Sequence, residues 1–577
     1  MSVPSGRMTG VPADVPSPRT IADRYVDELV RLDPVLATAL GVPTGQDGWP
    51  DWSPDGIAER ERLQRRTLSE LDRAEAAAGG RDGLDPGERR CARLLRERLE
   101  AQLAVTDAGE DLRRLDTMSS PPQSVRQALL LMPAASAQDW ATIAARLERV
   151  PAALDAYRTS LVEGRRRDLV AGPRQADAVV AQLTAWGSGG GWFQGFARQG
   201  PTVLRDRLDR AAADADTAMD ALRGWLAADY APAADRGRDP VGRDAYAMWA
   251  RYWSGSALDL DEAYAWGWSE FARLDAQQRA EADKILPGAT PRAAMAHLNE
   301  HGPAVVGVEA VRVHLQRLMD EAIEALDGVH VDLAPPLRRV ESMIAPAGAA
   351  AAPYYTRPSQ DFSRPGRTWL PTLGKERFPI WDLVSTWYHE GVPGHHLQLA
   401  QWVYVAPQLS RYQTSVGSVS ADAEGWALYA ERLMDELGFF PDPATRMGYL
   451  DGQQMRAVRV VIDLGMHLGL PIPQDQGVPE PFHPGERWTP ELAREFFGAS
   501  SGQTADFLDS EIIRYLGWPG QAIGYKLGER AWLAGRDAGR RAHEGRGERF
   551  DLKAWHMAAL SQGSLGLDDL VAELSAL

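Results

Sequence analysis

A mainly α-helical fold with one small β element is predicted, and three observations carry the prediction. Apolar residues recur at helical spacing from about residue 20 to residue 345. The breaks between those stretches carry Pro and Gly, as in Leu286-Pro287-Gly288. The character then changes near Ala345, and 351–373 (AAPYYTRPSQDFSRPGRTWLPTL) has the aromatic, Thr and Pro content of short strands and turns.

Taken in order, residues 1–20 are rich in Pro, Ser and Gly and lack the apolar stretch of a secretory signal, so a disordered N-terminus is expected. Residues 21–345 read as a helical N-terminal part. Helices are expected near 21–32, 86–105, 137–164, 201–230, 260–284 and 303–326, the second with Pro86 at its first position. The glycine-rich 187–195 (GSGGGWFQG) reads as a flexible connection and does not fit the dinucleotide fingerprint. Residues 346–577 form the other part, expected to pack with the first as one body. It holds the β element, then helices at 377–390, 421–437 and 450–470, a proline-rich loop at 471–490 and a last helical stretch. On 377–390 Ile380, Leu383, Val384, Trp387 and Tyr388 make one apolar stripe, and His389 projects away from it.

A chain of 577 residues with 44% hydrophobic residues can bury a large core. Its net charge of −17 argues against a nucleic-acid partner, which calls for clustered Lys and Arg. Cys91 is the lone cysteine, so no intrachain disulfide forms. No apolar run nears the roughly 18 residues of a membrane span, and a cytoplasmic location is expected, with no membrane partner. Lysine occurs at only four positions, Lys284, Lys375, Lys526 and Lys553, so one beside a candidate site draws interest.

The densest chemical signal is His389-Glu390-Gly391-Val392-Pro393-Gly394-His395-His396, which holds three of the eleven histidines. Imidazole is the commonest protein ligand for zinc, and an adjacent glutamate can serve as general base toward water. The run departs from the zincin signature H-E-x-x-H, because Pro393 stands four residues after His389. On an unbroken helix neither His395 nor His396 could share an ion with His389. Pro393 removes a helix donor, and Gly391 and Gly394 tolerate unusual dihedrals, so a break or bulge can swing His395 back. The bland alternative is a helix C-terminus, where His meets the dipole and Gly and Pro stop the helix.

A catalytic zinc takes three protein ligands, and the lone cysteine makes a structural four-ligand site a poor fit. Glu424, opening the helix at 421–437, is the favoured third ligand, with Asp422 and Glu431 as competitors. On 450–470, Arg456, Arg459, Asp463 and His467 share one face of an otherwise apolar helix. They read either as a buried ion-pair network or as a cleft-facing set. In the second reading an arginine holds a substrate carboxylate and His467 donates to a developing oxyanion. Near the end Glu511, Arg514, Tyr515, Gln521, Tyr525 and Lys526 surround Trp518-Pro519-Gly520, with Tyr525 the candidate oxyanion donor. Gly498-Ala499-Ser500-Ser501-Gly502 matches G-x-S-x-G, but the helical look of 491–497 denies it the strand a nucleophile elbow needs.

HEGVPGHHLQ (389–398), EGWALYAERL (424–433), RAVRVVIDLGMH (456–467) and RYLGWPGQAIGYKLG (514–528), in that order, resemble the bacterial domain-of-unknown-function family 885, and PSQDFSRPG (358–366) fits the same pattern. The resemblance covers most of the chain from about residue 20, loosely in the N-terminal half. It implies a largely helical, zincin-like (gluzincin) body with a deep cleft, akin to metallopeptidases of the thimet-oligopeptidase and Taq-carboxypeptidase type. It further implies one zinc per chain on His389, His395 and Glu424 with Glu390 as base, His396 remaining an alternative ligand. The expected activity is zinc-dependent hydrolysis of a peptide or amide bond. Tyr525 and His467 assist, and Arg456, Arg459, Arg514, His396 and Lys526 are the candidate substrate-binding residues. The partner would be a short peptide or small amide, and the protein a monomer or homodimer. The alternatives are an amide hydrolase acting within a biosynthetic pathway and a non-catalytic metal-binding protein.

Overall fold

Serine or aspartate followed by proline starts the early helices. Pro18–Leu32, Pro34–Ala39, Pro54–Ala77 and Pro86–Asp107 are each preceded by Ser17, Asp33, Ser53 or Asp85, whose side chain accepts a first-turn N–H. Proline suits that first position because its missing N–H would have no helical partner there. In this computed structural model the described residues are 15–43, 45–234, 239–346 and 352–577. Of the expected disordered N-terminus, 1–14 lie outside them, and the chain is helical from Pro18.

The chain divides into two compact units. The first comprises residues up to Asp239 together with Ser410–Gly417. It is helical, around a core that includes Val125, Ile143, Leu147, Leu161, Val179, Leu208 and Tyr230. The glycine-rich stretch expected to be a flexible connection is partly a helix, Trp192–Ala197, and its Phe193 and Phe196 belong to that core.

The second unit comprises Pro240–Leu409 and Ser418–Leu577. The division thus falls at 239/240, upstream of the change of character near 345. Helices between 243 and 326 are built into the same unit as the C-terminal half. Gly267 of helix Leu260–Ile285, for instance, lies so close to Val460 and Val461 of helix Pro443–Leu468 that a Cβ there would crowd both side chains.

Among the described residues five short strands complete the second unit. β1 (Ala304–Val306) pairs antiparallel with β5 (Arg377–Pro379), Ala304 opposite Pro379. β2 (Val340–Ile344), β4 (Gly366–Leu370) and β3 (Tyr354–Thr356) form a sheet in the order β2-β4-β3. There β2 runs parallel to β4 and β3 antiparallel to it. The β element expected in 351–373 is thus present, with β2 added from upstream; residue 351 lies outside the described residues. The helix expected over 377–390 is a strand followed by a shorter helix, Leu383–Glu390. The backbone of 376–380 is engaged elsewhere: Gly307 N–H donates to Glu376 O and Ile380 N–H to Pro303 O. Among the described residues no helix is long and apolar enough to cross a membrane.

Candidate metal centre

The expected bulge is a full break between two helices. Helix Leu383–Glu390 ends at Gly391, and His395 opens the next, His395–Tyr404. Three backbone bonds fix the junction: Gly391 N–H to Trp387 O, Gly394 N–H to Tyr388 O and His396 N–H to Gly391 O, at 2.8, 3.0 and 3.0 Å. A Cβ on Gly394 would run into the carbonyl oxygens of Tyr388 and His389, so the second helix can start this close only with glycine there. The break brings the His389 and His395 rings to 4.8 Å between centroids, nearly perpendicular. His389, Glu390 and His395, all buried, each bring one ligand atom to within 4.8 Å of the others.

Helix Ser420–Glu436 supplies Glu424. Its Oε2 lies 3.4 Å from Nε2 of His389 and 3.4 Å from Nε2 of His395. It is buried and has no hydrogen-bond partner. Ligands about 2.0–2.1 Å from a tetrahedral zinc are separated by roughly 3.3 Å, so the two spacings fit an ion shared by these three side chains. The same helix braces the break, because the indole Nε1–H of Trp426, two residues beyond Glu424, donates to Pro393 O and Gly394 O at 2.9 and 3.1 Å.

Glu431, a competitor for third ligand on spacing, has a different place. His389 Nδ1–H donates to its Oε1 at 2.7 Å, and Ser385 Oγ–H donates to its Oε2 at 2.8 Å. This fixes the His389 tautomer and aims Nε2 at Glu424, the support ligating histidines ordinarily have. Burial disfavours a charged His389, but Glu424 and Glu431 outweigh it and raise the imidazole to about 9. Burial also works against the Glu424 charge, yet His395 and His389 hold that carboxyl well below its usual range. Glu390 is raised by burial in spite of both histidines. Asp422, the other competitor, is buried elsewhere, accepting from Ser564 Oγ–H and Leu565 N–H, and burial lifts it to about 7.

Tyr525 comes to the cluster through a tight helix crossing. Gly425 and Gly528 touch backbone to backbone, and Gly524 lies against Ala421. Tyr525, near the start of helix Gly524–Gly545, is thereby set near Glu424. Burial, with Glu424, lifts its phenol to about 12 against three nearby arginines, so it is a neutral donor at neutral pH.

Several predicted site residues are engaged elsewhere. His396 Nε2–H donates to Leu337 O and Nδ1 accepts from Tyr355 O–H, both at 2.9 Å. Both nitrogens are thus used, and burial drives its pKa down to about 4. His467 is likewise spent: Nε2–H donates to Tyr515 O and Nδ1 accepts from Val241 N–H, so it has no donor for an oxyanion. Lys526 is fully buried among Gln453, Glu529 and Glu270, an internal ion-pair cluster. Arg459 and Arg514 both bind Glu511. Arg456 stands beside the cluster, 3.7 Å from Glu431. Ser385 was missed by sequence reasoning, although it lies one helical turn before His389 on the same face.

Two imidazoles and two carboxylates gathered at a break between helices define a mainly helical protein with a candidate metal centre. The chain belongs to the family described as "bacterial protein of unknown function (DUF885)", whose model matches residues 34–574. No curated protein matches it. Among solved structures it is similar to two proteins described as putative lipoproteins. One, from Colwellia psychrerythraea, is 20% identical over 97% of this chain and 98% of that one, with a TM-score of 0.80. The other, of unknown function and from Shewanella oneidensis, is 17% identical over 97% of this chain and 100% of that one, with a TM-score of 0.74. At such identities the likeness shows the fold alone.

Proposed function

We propose that this protein is a zinc-dependent hydrolase of peptide or amide bonds, zincin-like in its site. One observation carries the reading: Glu424 Oε2, buried and without a hydrogen bond, stands 3.4 Å from Nε2 of both His389 and His395. His389, His395 and Glu424 would hold the ion. Zinc, when bound, supplies a Lewis acid that polarises a carbonyl and makes a water more acidic.

The chain's own groups do the rest. Glu390 takes the proton from the attacking water and passes it to the leaving nitrogen; its raised pKa suits a group that must both accept and return a proton. Tyr525 donates its phenolic hydrogen to the charge developing on the carbonyl oxygen. Glu431 keeps His389 in the tautomer that leaves Nε2 free. The reading implies a deep cleft open to Glu390 and Tyr525.

Metal analysis and one substitution test it. The purified protein is expected to carry about one zinc per chain, as a three-ligand catalytic site requires. Glu390→Gln is expected to retain that zinc and lose about 10²- to 10⁴-fold in turnover of a responsive peptide or amide. Protein that takes up no zinc would end the proposal. Zinc with no turnover across a peptide and amide library leaves a metal-binding protein that is not an enzyme.

A further inference from the structure

Three arginines lie near Tyr525, and two of them are paired with Glu511. Arg459 donates from Nε to Tyr515 Oη and from Nη2 to Glu511 Oε2, each at 2.8 Å. Arg514 grips both oxygens of Glu511, at 2.9 and 2.7 Å, and reaches Gln521. Arg456 differs. Its Nη1 donates to Gly452 O, the carbonyl one turn back in its own helix, at 3.0 Å. Its Nη2 lies 3.7 Å from Glu431 Oε1, beyond hydrogen-bonding distance, and its Nε is buried without a partner. Glu431, which also accepts from His389 and Ser385, faces it at ion-pair distance but makes no hydrogen bond to it.

A mostly buried guanidinium with unspent donors is costly unless an anion meets it. Arg456 lies beside the candidate metal centre. Its guanidinium carbon is 6.0 Å from the centre of the Tyr525 ring. A single oxygen, Glu431 Oε1, stands between it and the His389 ring. A planar guanidinium matches a carboxylate through two parallel hydrogen bonds.

We propose that Arg456 is the subsite for a free carboxylate, and that the substrates are N-acyl amino acids and short peptides cut at the amide next to their terminal carboxylate. Arg456 is one oxygen away from the His389 ring, so a carboxylate held there adjoins the candidate metal centre. The inference rests on the hydrolase reading and narrows its substrate class.

The test is equilibrium binding. Zinc-loaded Glu390→Gln protein, which holds substrate without turnover, is titrated with N-benzoylglycyl-L-phenylalanine and with its C-terminal amide. The acid is expected to bind ten- to a hundred-fold more tightly, the range for hydrogen bonds to a charged group. Adding Arg456→Gln is expected to erase the difference with zinc content unchanged. Arg456→Lys, which keeps a cation beside Glu431, is expected to retain part of it and to report on folding. Equal binding of acid and amide, no binding of either, or a preference that survives Arg456→Gln overturns the inference. So does loss of zinc in Arg456→Gln, which would make Arg456 only a support for Glu431. Wild-type protein without zinc sinks the hydrolase reading instead, and the acid-against-amide comparison on metal-free protein still decides the role of Arg456.

Discussion

Glu431 shows how a residue matters without touching an ion. It is seven residues after Glu424, two turns along one helix face, so both carboxylates point at His389 from the same side. Glu424 meets Nε2 and Glu431 meets Nδ1. A buried imidazole that donates to a carboxylate has one tautomer and one orientation, and losing that partner ordinarily lowers metal affinity by about 10- to 100-fold. Glu431→Gln is expected to fall in that range, read by competition with a zinc chelator, while the folded content by circular dichroism is kept. The amide can still accept from His389 but carries no charge, so an unchanged affinity would show that the negative charge of Glu431 contributes nothing. The same reasoning separates the two adjacent histidines. His395 has its Nε2 aimed at Glu424, whereas His396, one residue on, is tied to Leu337 and Tyr355.

At the scale of elements, the candidate metal centre depends on the 391–394 break. Gly394 allows the second helix to begin against the carbonyls of Tyr388 and His389, and Trp426 caps the junction from the helix that carries Glu424. Gly394→Ala forces its Cβ into those carbonyls and must push the two helices apart. We expect it to lose zinc binding by at least tenfold and to destabilise the fold by about 1–3 kcal/mol, the scale of overpacking in a filled interior; chelator competition and denaturant unfolding measure the two. Wild-type behaviour in both would show that the break tolerates a side chain. Much of this was legible in the sequence: Pro393 and the two glycines predict the break, and the acidic helix expected at 421–437 is observed at Ser420–Glu436. What was not legible is partner identity. Arg459 and Lys526 announce charge on buried faces, but Glu511, which meets Arg459, and Glu270, which meets Lys526, come from other segments; of these pairs, only Glu511 with Arg514 and Glu529 with Lys526 lie within one helix. The helix expected over 377–390 failed for the same reason, since β1, which claims Arg377–Pro379, lies far upstream.

At the scale of the whole molecule, all candidate ligands come from the second unit, on the two helices that meet at the break and on helix Ser420–Glu436. The composition shift near 345 marks where strands begin, whereas the second unit is set by packing that reaches back to helix Leu260–Ile285. An ion that binds only the native arrangement stabilises it by mass action, by about 2.7 kcal/mol at a free concentration 100 times its dissociation constant. It also joins segments distant in sequence, so the stabilisation belongs to the opening of those segments rather than to local fraying. The expected signature is regional. On adding zinc, hydrogen exchange should slow in 383–404, in 420–436 and, through the Gly425–Gly528 contact, at the start of helix Gly524–Gly545. Amides in the first unit's core, around Val125, Leu161 and Leu208, contribute no ligand and should exchange at an unchanged rate. Mass spectrometry of peptides after exchange, with and without zinc, reads both regions in one experiment. Protection confined to the surface histidines His297, His301 and His483, with 383–404 unaffected, would mean that zinc binds this protein somewhere other than His389, His395 and Glu424.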